Sequence, residues 1–397
     1  MLYLSNYFSS YYSIEKHRDL RLDFIRGLAM VIVVINHLPT SSLYYIFSKE
    51  RIGVVTGAEL FVLLSGLVLG FAHRKYITVY SWHQSAKKLL RRALLLYACV
   101  VIVSFTAWVL SQILPGLQIL TTYTDSSGTL VSLYPQDAFM HPGKLLMHIL
   151  FMKSTPWQFN IIGLYVILII IAPLALRMLI TRNWIWLLVT SLGLYIIALI
   201  FKIRLTTFAF EKPFPLLIWQ FPFLCALVTG YSYQELAVWV NTKQGLILRG
   251  IVVILFFMFM FFTLNNYWID ESYTFLPTLR IIKPENFYLI YSNFFMGRTW
   301  LGAGRLLNAF VVIAALCEIL NIAWPFFKKW VGWWAIPIGQ ASLYIFILHL
   351  AIIPFVSITS GYFNDHLLLY NTLVHTLVLI ILWICVKTRF LFSIIPR

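Results

Sequence analysis

Charge is what this sequence has least of. Only 11% of its 397 residues are Asp, Glu, Lys or Arg, whereas a soluble domain carries roughly 25%. So little charge cannot cover a water-facing surface, which excludes an ordinary soluble globule. Acid is scarcer than base, 14 residues against 30, for a formal net charge of +16. The excess does not point to nucleic acid, because Lys and Arg stand in short clusters between apolar runs and form neither a basic domain nor a tail. Cysteine is limited to Cys99, Cys225, Cys317 and Cys385, all inside apolar runs and without CxxC or His-linked spacing. Neither a disulfide framework nor a metal site is expected from them. The first fifteen residues lack a basic stretch leading into an apolar run and cleavage site, so the first span is expected to serve as the insertion signal. No internal repeat is visible, which weakens a transporter built from duplicated halves.

What the chain has is apolar length, with 61% hydrophobic residues. A membrane span needs roughly 20 mostly apolar residues. Ten runs qualify: 22–40, 54–72, 93–114, 158–176, 184–201, 215–232, 247–264, 304–322, 338–359 and 368–386. The expectation is an all-α, polytopic membrane protein of one domain over 1–397, with the lipid bilayer as its first partner. Placing the amino terminus in the cytoplasm puts 19 of the 30 basic residues inside and 11 outside. That bias predicts both termini inside, with 1–21 as a cytoplasmic segment. Two outer segments, 115–157 and 265–303, are too long for simple turns and read either as functional lids or as ordered caps.

Ionisable groups retained in spans are costly in lipid and usually face an interior or a watery path. The first span, "RDLRLDFIRGLAMVIVVINHLPT", holds Asp23, Arg26 and His37. Eleven residues separate Arg26 from His37, about 1100° at 100° per residue, hence within about 20° of one face and ~16 Å apart. The next span, "GAELFVLLSGLVLG", carries Glu59 about five residues from its outer end, a depth of ~8 Å that His37 can share. A carboxylate on one imidazole nitrogen fixes the tautomer and makes the other nitrogen a better base, as deprotonating a sugar hydroxyl requires. The same pair also reads as a structural lock between two helices. "KKLLRRALLLY" sets Lys88, Arg91 and Arg92 at the inner mouth of span three, either as topological anchors or as a phosphate grip. "WQFNIIGLYVIL" contributes Asn160, and "GQASLYIFILHL" contributes Ser342, Tyr344 and His349. Arg298 and Arg305 break the positive-inside bias, which implies a specific partner. No Gly-x-Ser-x-Gly elbow offers a nucleophile, and Ser65 is the weaker candidate for one.

At these residues a resemblance appears. An arginine, ten residues and a histidine in the first span resembles the signature of the acyltransferase-3 family of membrane acyltransferases. "LDFIRGLAMVIVVINH" and "ELFVLLSGLVLG" look closer still to its OpgC branch, named for succinylation of osmoregulated periplasmic glucans, and "NIIGLYVILIIIAPLAL", "TWLGAGRLLNAF" and "GQASLYIFILHL" look similar too. The resemblance implies about ten helices around an acyl-donor pore in the cytoplasmic membrane. Acyl-CoA would serve as co-substrate, entering from the cytoplasm with no tightly bound cofactor, and a cell-surface or periplasmic glycan would be the acceptor. It implies that His37 is the essential histidine and Arg26 its paired basic residue, and Glu59 fits the OpgC pattern. Lys88, Arg91 and Arg92 would then meet the donor, while Asn160, Arg305 and His349 would place the acceptor or stabilise charge. A glycan or amphiphile transporter, or a receptor without catalysis, is the alternative, since intramembrane polar groups also mark translocation paths.

Overall fold

In lipid every backbone polar group must be satisfied within the chain, so apolar runs of this length become helices. The computed structural model describes residues 19–124, 129–267, 273, 275–359 and 367–396. Residues 1–18 of the expected cytoplasmic segment, with Lys16 and Arg18, lie outside them, as do parts of both long outer segments. In chain order the helices are α1 Leu20–His37, α2 Tyr45–Ser48, α3 Gly57–Val79, α4 Trp82–Ile113, α5 Pro142–Leu150, α6 Asn160–Ile180, α7 Trp184–Phe201 and α8 Leu216–Tyr231. They continue with α9 Tyr233–Trp239, α10 Lys243–Thr263, α11 Pro284–Ile290, α12 Ala303–Phe327, α13 Trp333–Gln340, α14 Ser342–Thr359 and α15 Leu368–Lys387. Among the described residues the strands are one short antiparallel pair, β1 Thr122–Thr124 and β2 Leu130–Ser132.

Each of the ten predicted runs coincides with a helix. Among the described residues seven helical stretches are long and apolar enough to cross a membrane, and α8 with α9, bent by 75°, makes an eighth if the two form one span. The chain is a multi-pass membrane protein. Helix α1 is apolar after a first half that carries Arg21, Asp23 and Arg26, and α14 is a shorter apolar helix.

Two boundaries differ from expectation. Helix α4 begins at Trp82, eleven residues before the predicted run, because Ser81 caps it by accepting from the Gln84 amide at 3.2 Å. At 32 residues it is ~48 Å long, more than the ~30 Å hydrocarbon core. Its excess length carries the cationic turns. Further on, the helical path continues from 303 to 340, kinked at Ala323 just before Pro325, which has no amide proton to donate. A π turn over 328–332 follows, and the path breaks at Ala341.

The described residues group into two compact units. The first comprises 19–61, 246–287 and 307–396. Within it, α1 lies directly on α13: a Cβ at Gly27 would overlap the Ala335 carbonyl, and one at Gly339 would overlap the Asp23 carbonyl. Small residues at such crossings let backbones touch, which is how helices gain packing where no hydrophobic effect separates them from lipid. Arg249 of α10 pairs with Glu318 of α12.

The second unit comprises 62–245 and 288–306. Gly66 and Gly70 of α3 meet the backbone of α8 in the same manner, and Gly230 of α8 meets Leu67. Gln220 of α8 bonds Ser191 of α7 twice, accepting from its hydroxyl at 2.6 Å and donating to its carbonyl at 2.8 Å. The long segment 115–157 packs on a small core of its own, Tyr134, Ala138, Leu145 and Ile149 with Trp108. Tyr134 ties it to α4 by donating to the Ser104 carbonyl at 2.9 Å.

Candidate functional site

His37 is the last residue of α1, where the helix gives way to an extended chain at Leu38. Its Nδ1 lies 2.9 Å from Nε2 of His349 on α14, with the rings nearly parallel at 23° and 5.2 Å between centroids. Phe346, one turn before His349, sets its ring edge-on against both imidazoles. His349 is fully buried, and His37 is partly buried. The proton positions follow from the acceptor at the far end. Nδ1 of His349 faces the Ile345 carbonyl at 3.3 Å, and a carbonyl can only accept. In the neutral pair Nδ1 of His349 therefore carries its proton and Nε2 a lone pair, so His37 donates from Nδ1. That leaves the lone pair of His37 on Nε2, away from the dyad. A histidine partner on one ring nitrogen fixes the tautomer of the imidazole.

At the other end of the same helix pair, Arg26 donates from Nη2 to the Ser342 hydroxyl at 2.5 Å and lies 3.7 Å from Asp23. Gln340 donates to the other Asp23 oxygen at 3.3 Å. Two contacts, Arg26 with Ser342 and His37 with His349, make α1 and α14 parallel neighbours. Ser342 and His349 are seven residues apart and so share a face of α14. The polar stripe predicted on α1 is matched by a polar stripe on α14.

Glu59 has a local task. Its carboxylate accepts from the Thr56 amide at 2.9 Å and also bonds the Thr56 hydroxyl. Thr56 precedes the first residue of α3 and Glu59 is the third residue of that helix, which is the capping-box arrangement. The expected orienting carboxylate is thus engaged in closing a helix, and the hydrogen-bond partner on His37 Nδ1 is a histidine. Glutamine serves a capping box as well as glutamate, so Glu59→Gln is expected to keep turnover within about twofold. Glu59→Ala is expected to lower stability by about 1 kcal/mol. Thermal unfolding with and without an activity assay checks both, and lost turnover in a normally stable Glu59→Gln protein would show that Glu59 acts on His37 as well as capping its helix.

The other sequence candidates belong to the second unit. Lys88, Arg91 and Arg92 are exposed on the early turns of α4, and Lys88 Nζ sits 4.4 Å from the centroid of the Tyr76 ring. Asn160 opens α6 and accepts from the buried Thr155 hydroxyl at 2.7 Å. Arg305 is fully buried and donates from Nη2 to the Tyr291 hydroxyl at 3.2 Å.

A family model described as "OpgC protein" matches residues 18–393. The chain belongs to the OpgC family. No curated protein and no solved structure matches it. The match runs through both units and contains every candidate residue above, from Arg26 to His349. OpgC membership suggests a glycan-modifying acyltransferase and implies a transferase, here a multi-pass membrane one. The sequence does not pair His349 with His37, because 312 residues separate the two and His375 also lies in a predicted span.

Proposed function

We propose that this protein is an integral-membrane O-acyltransferase of the cytoplasmic membrane, both termini inside, moving an acyl group from cytoplasmic acyl-CoA to a hydroxyl of an extracytoplasmic glycan. The observation that carries the reading is the 2.9 Å bond between His37 Nδ1 and His349 Nε2, which fixes the tautomer in which Nε2 of His37 is the basic nitrogen. In the proposed step the acceptor hydroxyl gives its proton to that nitrogen as its oxygen attacks the thioester carbonyl carbon. The C–O ester bond forms, the C–S bond breaks, and the departing CoA sulfur takes up the proton from His37. Direct transfer needs no covalent enzyme intermediate.

Arg26 holds the inner end of the stripe, ~16 Å along the helix axis from His37. Arginine and lysine are the cations for the donor's phosphates: Arg26 in the first unit is one candidate, and Lys88, Arg91 and Arg92 on α4 are others, arginine's fork giving bidentate contacts. Arg305 and Asn160 serve the acceptor or the charge that develops on the carbonyl oxygen. Succinyl-CoA and acetyl-CoA are the donors to try first.

The test is thioester consumption by the purified chain. Release of free CoA that depends on both protein and a glycan acceptor, with the acceptor gaining the acyl mass, is the expected result. Passage of glycan into sealed vesicles without thioester loss would establish a transporter and end this reading.

A further inference from the structure

A cluster of exposed aromatic rings and lysines lies in the first unit, towards the end of α1 remote from His37, and the mechanism does not use it. Phe326, Trp330 and Trp333 follow the kink at Ala323 and are 59%, 62% and 57% exposed. The rings of Phe326 and Trp330 are 6.5 Å apart, and Trp333 donates from Nε1 to the Trp330 carbonyl at 2.9 Å. Trp333 in turn stands edge-on to Trp383 of α15, with 5.3 Å between centroids. Four rings from two segments of the chain thus form one surface. Two exposed lysines border it, Lys329 with Nζ 5.5 Å from the Trp330 centroid and Lys387 with Nζ 5.6 Å from that of Trp383.

The helices set these groups at one level. His375 of α15 faces the Ile35 carbonyl at 3.2 Å. Trp383 lies eight residues after His375 and Gly27 eight residues before Ile35, ~12 Å along the axis in each case. Trp333 opens α13, whose Ala335 carbonyl lies against Gly27, so it meets Trp383 at that depth. Lys387, the last residue of α15, is one turn further out. Rings followed by a cation is the order of a bilayer boundary, where indoles sit at headgroup level and lysine reaches on towards water. Such a patch of rings is unfavourable in water and the ammonium groups are unfavourable in hydrocarbon, so the boundary suits both.

The charge at this boundary is of one sign. Residues 319–364 and 366–397 contain no Asp or Glu. Among the described residues neither Lys329 nor Lys387 pairs with a carboxylate. Each ammonium has an indole on one side, which leaves N–H groups for a stronger acceptor on the other. A lipid phosphate supplies that acceptor, and its acyl chains cover the rings. A zwitterionic headgroup would bring a cation of its own to the same place, so the complementary headgroup carries net negative charge. We infer that Phe326, Lys329, Trp330, Trp333, Trp383 and Lys387 form a site for an anionic phospholipid. Seated between the α13 entry and α15, the lipid braces α13, on which Gly27 of α1 rests. The inference is independent of the acyltransferase reading.

The test offers the full chain in detergent equal amounts of dioleoyl phosphatidylglycerol and dioleoyl phosphatidylcholine, and counts retained lipid by native mass spectrometry. The wild type is expected to retain phosphatidylglycerol over phosphatidylcholine by about tenfold. Lys329→Gln with Lys387→Gln should bring that preference close to parity. Lys243→Gln with Lys283→Gln removes the same charge from exposed positions elsewhere and should leave the preference as it is. Trp330→Leu with Trp333→Leu keeps every cation and should still lower phosphatidylglycerol retention by about threefold. An equal loss in the Lys243 and Lys283 pair, or unchanged retention in the tryptophan pair, would mean a diffuse attraction to net charge and overturn the site. No preference in the wild type would overturn it too. Displacement of the lipid by millimolar inorganic phosphate or by succinyl-CoA would make this a site for a soluble phosphate and end the lipid assignment. Should the tryptophan pair misfold, the two lysine pairs decide, since their side chains lie outside the packed core.

Discussion

Replacing His37 with alanine is expected to lower kcat for acceptor-dependent CoA release by about 10²- to 10⁴-fold, the usual range for loss of a general base. At 1.36 kcal/mol per tenfold this is about 3–5 kcal/mol of barrier. The loss should fall on kcat, because the mechanism leaves the donor's phosphates to arginines and Lys88. Acyl-CoA affinity should therefore stay close to wild type. His37 is partly buried at the end of its helix, so folding is checked by thermal unfolding alongside. The measurement is single-turnover CoA release with acyl-CoA binding determined on the same preparation. Full transfer by a normally folded His37→Ala protein would remove the base from the mechanism and leave α1 with a purely structural histidine.

Much of this architecture is legible in the sequence because lipid restricts the choices. An apolar run of span length with few charges has one backbone solution, and all ten such runs here are helical. The polar stripe on α1 is equally legible, since 3.6 residues per turn fixes which side chains share a face before any neighbour is known. What periodicity cannot supply is the neighbour. Asp23, Arg26 and His37 define a face, but that Ser342 and His349 lie against it depends on α13 crossing α1 at Gly27 and Gly339, and on the break at Ala341 that starts α14. Depth alone makes Glu59 a match for His37. The competing local rule, a threonine three residues before a glutamate at a helix start, is written in Thr56–Glu59 and governs the observed bonds. Helix α4 shows the reverse case. Hydropathy begins its apolar run at 93, whereas the helix extends back to Trp82, out of the hydrocarbon, because cationic residues form helix as readily as leucine.

His349 is the residue on which the tautomer argument can be broken. His349→Leu removes the acceptor for the His37 Nδ1 proton, so the ring is free to hold its proton on Nε2, where it cannot act as a base. The expected loss is about 10- to 100-fold in kcat, the scale measured when groups that orient a functional imidazole are deleted. His349→Asn offers an amide oxygen to the same N–H and should recover part of that loss at equal thermal stability. A purely packing role would not reproduce that recovery, since asparagine fills the buried site less well than leucine. The double variant discriminates further. If His349 acts only through His37, adding His349→Leu to His37→Ala should cost little beyond His37→Ala alone, as residues working as one unit are far from additive. Two losses that multiply would give His349 an independent contact with the reacting groups, and the dyad would have to be redrawn as two separate participants.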